Sequence, residues 1–219
     1  MPADPPVILL TGFDGFAGES RNPSWDAARS LRGARIAGHR VAVQRIPTAF
    51  ARCASVLARA IARHRPRLVL CLGQAGGRTA ISLERVAINC IDARIPDNDQ
   101  QQPVDQSVIV GAPAAYFAAL PIKAMLVALR ERGYPVEVSN SAGTFVCNAL
   151  AFHLAHGIAT RWPGLRGGLI HIPFAPAQVA ARPGVPSMPI ELVADALRVA
   201  VRVALTTSVD SAVGAGRED

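Results

Sequence analysis

The sequence predicts an α/β fold, with a mixed, largely parallel central sheet and helices on both faces. Three observations carry that expectation. Short apolar runs at Val7–Leu10, Leu68–Leu72 and Gly168–Ile172 read as buried strands. Segments of helical period lie between the strands and are punctuated by Pro, Gly or Asn. This alternation runs the length of the chain, and no repeat or linker divides it. At 219 residues the chain suits one domain with a sizeable core. We read a single domain over 1–207 and a tail, 208–219, expected to fray.

Taken in order, Val7–Leu10 runs into a Gly-rich loop, Thr11–Ser20. Asn22 and Pro23 then serve as N-cap and first residue of a helix through Leu31. An Asn side chain can accept from an orphan N–H there, and the fixed φ of Pro suits the first turn. Arg40–Ile46 alternates as a strand does. Phe50–His64 has helical period and stops before Pro66. Leu68–Leu72 ends at Gly73, where a Gly73–Arg78 turn begins. Ile81–Ile91 alternates for most of its length and predicts one extended segment; Ala93–Gln106, rich in Asp, Asn, Gln and Pro, predicts a polar loop. Pro121 opens a helix closed by Gly133. From Val136 a short strand turns through Asn140–Gly143 into a helical pattern that reaches His156, with Thr144 as its N-cap. Pro189–Leu205 is a long amphipathic helix.

Composition narrows the function. Half the residues are apolar and 18% are charged, which is globular rather than disordered. Long apolar stretches are broken by Arg, Pro or Gly, so no membrane span is expected. Met1–Pro6 has no basic region and no cleavable apolar segment, which points to the cytoplasm. Cys53, Cys71, Cys90 and Cys147 show no CxxC spacing, which argues against a disulfide framework and a zinc site. The net charge of +7 comes from arginines scattered along the chain with little aromatic interleaving. A solvated surface explains that pattern better than nucleic-acid binding.

Chemistry gathers at the strand-turn-helix around Cys147. With Thr144 as N-cap, Cys147 sits at the third helical position, facing unpaired N–H groups and the positive end of the helix dipole. Both favour thiolate, so the expected thiol pKa is lowered; the alternative is a small core residue. A thiolate nucleophile needs a base. His153 lies six residues on along the same helix, ~9 Å away along its axis and on another face. His156 is farther, and both suit helix packing, whereas His39 and His64 read as surface. His171, at or near a strand end, is the best base. The base needs an acceptor to orient it. Glu84 lies in a mainly apolar strand, where a carboxylate is either functional or paired with an arginine. Asp92, Asp97 and Asp99 compete from the end of that strand and the loop beyond it.

Four blocks carry a resemblance. They are Ser141-Ala142-Gly143-Thr144-Phe145-Val146-Cys147-Asn148, Leu10–Phe16 with Asn22-Pro23-Ser24, Gly73–Arg78 through Glu84–Asn89 to Asp92–Asn98, and His171–Phe174. In this order and spacing, from about residue 9 to 180, they resemble the pyroglutamyl peptidase I (pyrrolidone carboxyl peptidase) family of cysteine peptidases. The resemblance implies a single-domain three-layer α/β/α sandwich and a Cys147–His171–Glu84 triad. It implies removal of N-terminal pyroglutamate from peptides through a thioester, with no metal or organic cofactor. It places Arg94 near the site as electrostatic support for the oxyanion, against the alternative of a salt bridge to Asp92 or Asp97. The lactam is neutral, so its pocket needs apolar walls and a few hydrogen-bonding groups. Phe13 and Phe16 supply walls, and the resemblance adds Ile95, Phe145 and Val146, with Gln74 on the substrate backbone and Asn22 supporting the loop. It alone allows a homo-oligomer.

One departure stands out. The family has Gly where this chain has Gln100 or Gln101 after Pro96-Asp97-Asn98-Asp99, and Gln tolerates positive φ poorly. Two rival readings remain on the sequence: a cysteine amidase of different specificity, and a non-catalytic ligand-binding protein on the same sandwich. A phosphate cradle at Gly73–Gly77 is weaker, because the Gly-Lys-Ser/Thr of a P-loop is missing.

Overall fold

The computed structural model describes residues 5–216. In chain order its elements are β1 (Val7–Phe13), α1 (Pro23–Ser30), β2 (Arg35–Ile36), β3 (His39–Ile46), α2 (Phe50–His64), β4 (Leu68–Gln74), β5 (Ile81–Glu84) and β6 (Val86–Ile88). There follow β7 (Ala115–Phe117), α3 (Ile122–Arg130), β8 (Val136–Ser139), α4 (Val146–Thr160), β9 (Arg166–Ile172), α5 (Pro176–Val179) and α6 (Ile190–Thr206). Seven strands share one sheet in the order β2-β3-β1-β4-β9-β5-β8. β3, β1, β4 and β9 run parallel. β2 is antiparallel to β3, while β5 is antiparallel to β9 and parallel to β8. The sheet is therefore mixed and largely parallel, as predicted.

Alternation along each strand divides the core between the two faces of the sheet. Ile8 and Leu10 of β1, Leu68, Leu70 and Leu72 of β4, and Ile170 and Ile172 of β9 pack under α1, α3 and α6. Leu9 and Phe13, Val69 and Cys71, and Leu169 face the other way, under α2 and α4. Burying each such Leu, Ile or Val contributes about 1.5–3 kcal/mol, which is why continuous apolar strands persist here. The result is the three-layer sandwich. No helix among the described residues is long and apolar enough to cross a membrane.

Four local expectations change. The apolar runs continue past their predicted ends, so Thr11–Phe13, Gly73 and Gln74 are strand rather than loop. The predicted single segment Ile81–Ile91 breaks at Arg85. Up to Glu84 it pairs in the main sheet; beyond Arg85 it leaves as β6 to pair with β7. Two consecutive polar residues, Glu84 and Arg85, interrupt the alternation there, and the pairing partners show the change of sheet. Thr144 is not the N-cap: its hydroxyl donates to the Asp92 carbonyl at 2.8 Å, and Phe145 takes the cap position. The expected frayed tail is tied down, because the Asp210 carboxylate accepts from the N–H groups of Lys123 and Ala124. Residues 1–4 and 217–219, on which the reading of the N-terminus and the end of the tail fell, lie outside the described residues.

Candidate active site

The site lies on the α2–α4 face of the sheet. Antiparallel pairing sets Ser82 opposite His171, so Glu84, two residues on, is diagonal to His171 on the same face. Diagonal neighbours stand about 7–8 Å apart between backbones, a span that two long side chains close. The Glu84 Oε1 lies 2.7 Å from His171 Nδ1. Both residues are buried, at 2% and 4% exposure. His171 also pairs with Gly73 across the β4–β9 register. Gly73 has no side chain to occupy that face, and two other groups fill the space. A Cβ placed on Gly73 would stand 2.9 Å from His171 Nε2 and 2.9 Å from Cys147 Sγ. Thiol and imidazole thus face each other across a gap no wider than twice that distance.

Cys147 is the second residue of α4 and remains partly accessible. The first helical hydrogen bond there runs from the Ala149 N–H to the Phe145 carbonyl at 3.1 Å. The N–H groups of Val146, Cys147 and Asn148 precede it and have no partner within the helix. Asn148, one residue after Cys147, is fully buried. Its amide accepts from Ile88 N–H and donates to the Ile88 and Cys90 carbonyls, clamping the β6 segment to the nucleophile helix. That clamp sat inside the Cys147 motif, but its purpose was not readable there.

Electrostatics reverse one expectation. Burial above all, then Glu84 and the neighbouring Cys53 and Cys71, push the Cys147 thiol up to about 12, against a smaller downward pull from Arg78. Desolvation outweighs the helix end, so the resting group is a thiol rather than a thiolate. Burial also pushes Glu84 up. The hydrogen bond and charge of His171, then Ser139 and Arg78, bring it below its ordinary value, so Glu84 is an ionised acceptor.

The remaining predicted residues fall into three groups. Phe145 meets the Phe16 ring at 6.2 Å and the Phe50 ring edge-on at 5.3 Å, making an aromatic wall beside Cys147. Phe50, first residue of α2, was not anticipated; nothing but its aromatic type marked it. Phe13 and Val146 are 1% and 0% exposed and sit in the core cluster, so they back that wall rather than front it. Asn22 caps α1, accepting from Ser24 N–H at 3.0 Å, and its amide donates to the Asp14 carbonyl in the loop after β1. The Gln74 side-chain oxygen accepts from Gln178 at 3.0 Å. Gln178 was also missed, although Pro176 at the first position and Gln178 at the third mark the start of a short helix.

Arg94 and Ile95 open the 93–106 loop, and both are exposed. Reciprocal bonds between Asp92 and Thr144 anchor that loop to the turn before Cys147. Arg94 makes no ion pair among the described residues, so the salt bridge to Asp92 or Asp97 is not formed. The Asp97 carboxylate instead accepts the backbone N–H groups of Phe50, Asp99 and Gln101. Gln100 does take positive φ, at 61°, as the departure from the family pattern implied.

Comparison with known proteins identifies the family. The pyroglutamyl peptidase family model matches residues 7–207. The pyrrolidone-carboxylate peptidase of Klebsiella pneumoniae is 54% identical over 209 residues, covering 95% of this chain and 97% of its own. That of Bacillus licheniformis is 50% identical, covering 88% and 89%. The crystal structure of pyroglutamyl peptidase I from Bacillus amyloliquefaciens superimposes with a TM-score of 0.93 at 43% identity, over 96% of this chain and 100% of that one. With the family model, the relatives and the solved structure in agreement over nearly the whole length, this chain belongs to the pyroglutamyl peptidase family.

Proposed function

We propose that this protein removes N-terminal pyroglutamate from peptides through a thioester formed on Cys147. The observation that carries the reading is the meeting of Cys147 Sγ and His171 Nε2 at the empty face of Gly73, with Glu84 on the far ring nitrogen. Glu84 accepts from Nδ1–H, which leaves Nε2 as the acceptor facing the thiol. His171 takes the thiol proton as Sγ attacks the pyroglutamyl carbonyl, and the unpaired N–H of Cys147 receives the developing oxyanion. The C–N bond then breaks. His171 returns the proton to the leaving amine, and water, deprotonated by His171, hydrolyses the thioester. Arg94 adds positive charge at the rim. No step calls for a cofactor.

Phe16 and Phe145, backed by Phe13 and Val146, offer the neutral lactam an apolar wall, with Ile95 from the facing loop. Gln178 holds the Gln74 oxygen, leaving the Gln74 NH₂ to donate to the substrate backbone. No carboxylate stands among these groups to pair an ammonium. A prolyl amide, with a protonated ring nitrogen, would leave that charge unpaired, and sites built on polar matching reject analogues by about 10⁴-fold or more.

The test is release of a fluorophore from a pyroglutamyl amide. The wild-type chain is expected to favour it over the prolyl amide by at least ~10³-fold in kcat/KM. Cys147→Ser is expected to bind but not turn over. Activity in Cys147→Ser would overturn the mechanism, and equal turnover of the two amides would overturn the specificity. A non-catalytic binding protein would turn over neither.

A further inference from the structure

We propose that Arg78 is a positioning residue of the triad, coupling the Glu84 carboxylate to the nucleophile loop and setting how firmly Glu84 holds His171. The inference rests on the Cys147–His171–Glu84 reading. Gly77, at φ 89°, turns the chain after β4 so that Arg78 comes back over the sheet. Its Nη1 lies 2.6 Å from Glu84 Oε1, and its Nη2 donates to the Ser141 carbonyl at 3.1 Å. Ser141 belongs to the turn that leads into α4 and Cys147. One planar guanidinium therefore spans the acid and the loop that carries the nucleophile.

The shared oxygen gives Arg78 its influence. Glu84 Oε1 receives both Arg78 and His171 Nδ1, whereas Oε2 has no acceptable hydrogen-bond partner among the described residues. Ser139 is near enough to affect Glu84, but its single proton serves the Ser141 carbonyl at 3.0 Å. Arg78 and His171 thus draw on the same lone pairs, so what Arg78 takes, His171 does not receive. The Glu84 side chain is almost fully buried, and Arg78 is 22% exposed. A buried carboxylate that loses its cationic partner is left poorly compensated. The groups facing the pair are His171 from β9, Cys147 from α4, and Cys71 and Cys53 behind the thiol from β4 and α2. Removing the Arg78 cation tightens proton binding on Glu84 and on Cys147.

The experiment compares Arg78→Met and Arg78→Lys with wild type on a fluorogenic pyroglutamyl amide. For Arg78→Met, kcat is expected to fall about tenfold or more, part of the ~10²–10⁴ that acid–base catalysis supplies, with KM nearly unchanged. The rising limb of kcat/KM, and that of iodoacetamide alkylation at Cys147, are expected to move to higher pH. Arg78→Lys keeps the charge but lacks the fork that reaches both acceptors. It is expected to hold the wild-type pH limb yet recover only part of kcat. Unchanged kcat and pH limb in Arg78→Met, or a lower Tm with the pH limb unmoved, overturns the proposal. If Arg78→Met does not fold, Arg78→Lys decides: wild-type kcat overturns the inference, and reduced kcat with an unmoved limb supports it. Turnover by Cys147→Ser or undiminished kcat in Glu84→Gln would overturn the triad itself, whatever the Arg78 variants do.

Discussion

At the scale of single residues, the site depends on an absence of side chain. Gly73→Ala would place a methyl 2.9 Å from both Sγ and Nε2 and 2.7 Å from His171 Cδ2, closer than carbon can stand to any of them. The thiol or the ring must move, and a displacement of about 1 Å in a catalytic group can cost about 10²-fold. A kcat loss of about that size is expected, with a stability cost of roughly 1–3 kcal/mol from overpacking. Wild-type kcat in Gly73→Ala would show that the two groups do not work across that space. The thiol itself makes a second prediction. With its pKa pushed up to about 12, Cys147 is protonated at neutral pH. Its alkylation rate is expected to keep rising beyond pH ~8.5, the ordinary thiol value. A plateau from pH 6 upward would mean a preformed thiolate. Residue type and local pattern made Cys147 and His171 candidates, and the resemblance to the family selected Glu84 over Asp92, Asp97 and Asp99. The thiol's protonation was not legible, because burial and the Glu84 charge come from strands far along the chain. Phe13 was misplaced for a related reason: β1 runs on to include it, and alternation then turns its ring into the core.

At the scale of elements, boundaries written by Pro and by hydrophobic period were readable, and those set by partners were not. α2 spans Phe50–His64 as predicted, because its period and Pro66 are local signals. The change of sheet at Arg85 is not local. Arg85 N–H donates to the Ser139 carbonyl and Ala118 N–H to the Arg85 carbonyl, so the switch of sheets is decided by β8 and β7. The 93–106 loop combines both kinds of information. Sequence marked Gln100 as a residue in a place suited to Gly, and the structure gives it φ 61°. What holds it there is non-local: Asp97 accepts three N–H groups, and Arg52 grips Asp99 through two bonds of 2.6 Å. A non-Gly residue in this region costs about 1–2 kcal/mol, offset by the extra chain entropy of Gly when unfolded. Gln100→Gly is therefore expected to gain about 0.5–1 kcal/mol, a rise of about 2–4 °C in Tm per kcal/mol for a chain this size. Thermal unfolding followed by circular dichroism checks it, and an unchanged or lower Tm would mean that Gln100 carries no strain.

At the scale of the molecule, the fold class was legible because continuous apolar strands between amphipathic helices have few other ways to bury themselves. Strand order was not, and it matters most: β5 inserts antiparallel beside β9 in a register that sets Ser82 opposite His171 and so Glu84 diagonal to it. The tail shows how composition misleads. Ser208–Asp219 is polar and Gly-containing, and the family match stops at 207. Yet Asp210 accepts from Lys123 N–H at 3.1 Å and Ala124 N–H at 2.7 Å, capping α3, whose own cap residue Pro121 has no side-chain bond to offer. Lys123 Nζ then reaches the Val213 and Ala215 carbonyls, and Arg85 also donates to Ala215. The tail thus straps α3 to the segment next to Glu84. An N-cap is worth about 0.5–2 kcal/mol. With the two cationic side chains released as well, truncation after Thr207 is expected to cost about 1–3 kcal/mol, since hydrogen bonds to charged groups add to the cap. At about 2–4 °C per kcal/mol, Tm falls by several degrees. Asp210→Ala should reproduce the cap's share alone. Catalysis is expected to stay within about twofold, because the Arg85 side chain donates to the Ala215 carbonyl rather than to Glu84, His171 or Cys147, and the triad's own contacts are untouched. An unchanged Tm in the truncated chain would show that the strap adds nothing, and a large loss of kcat with little loss of Tm would show that it reaches the triad through Arg85.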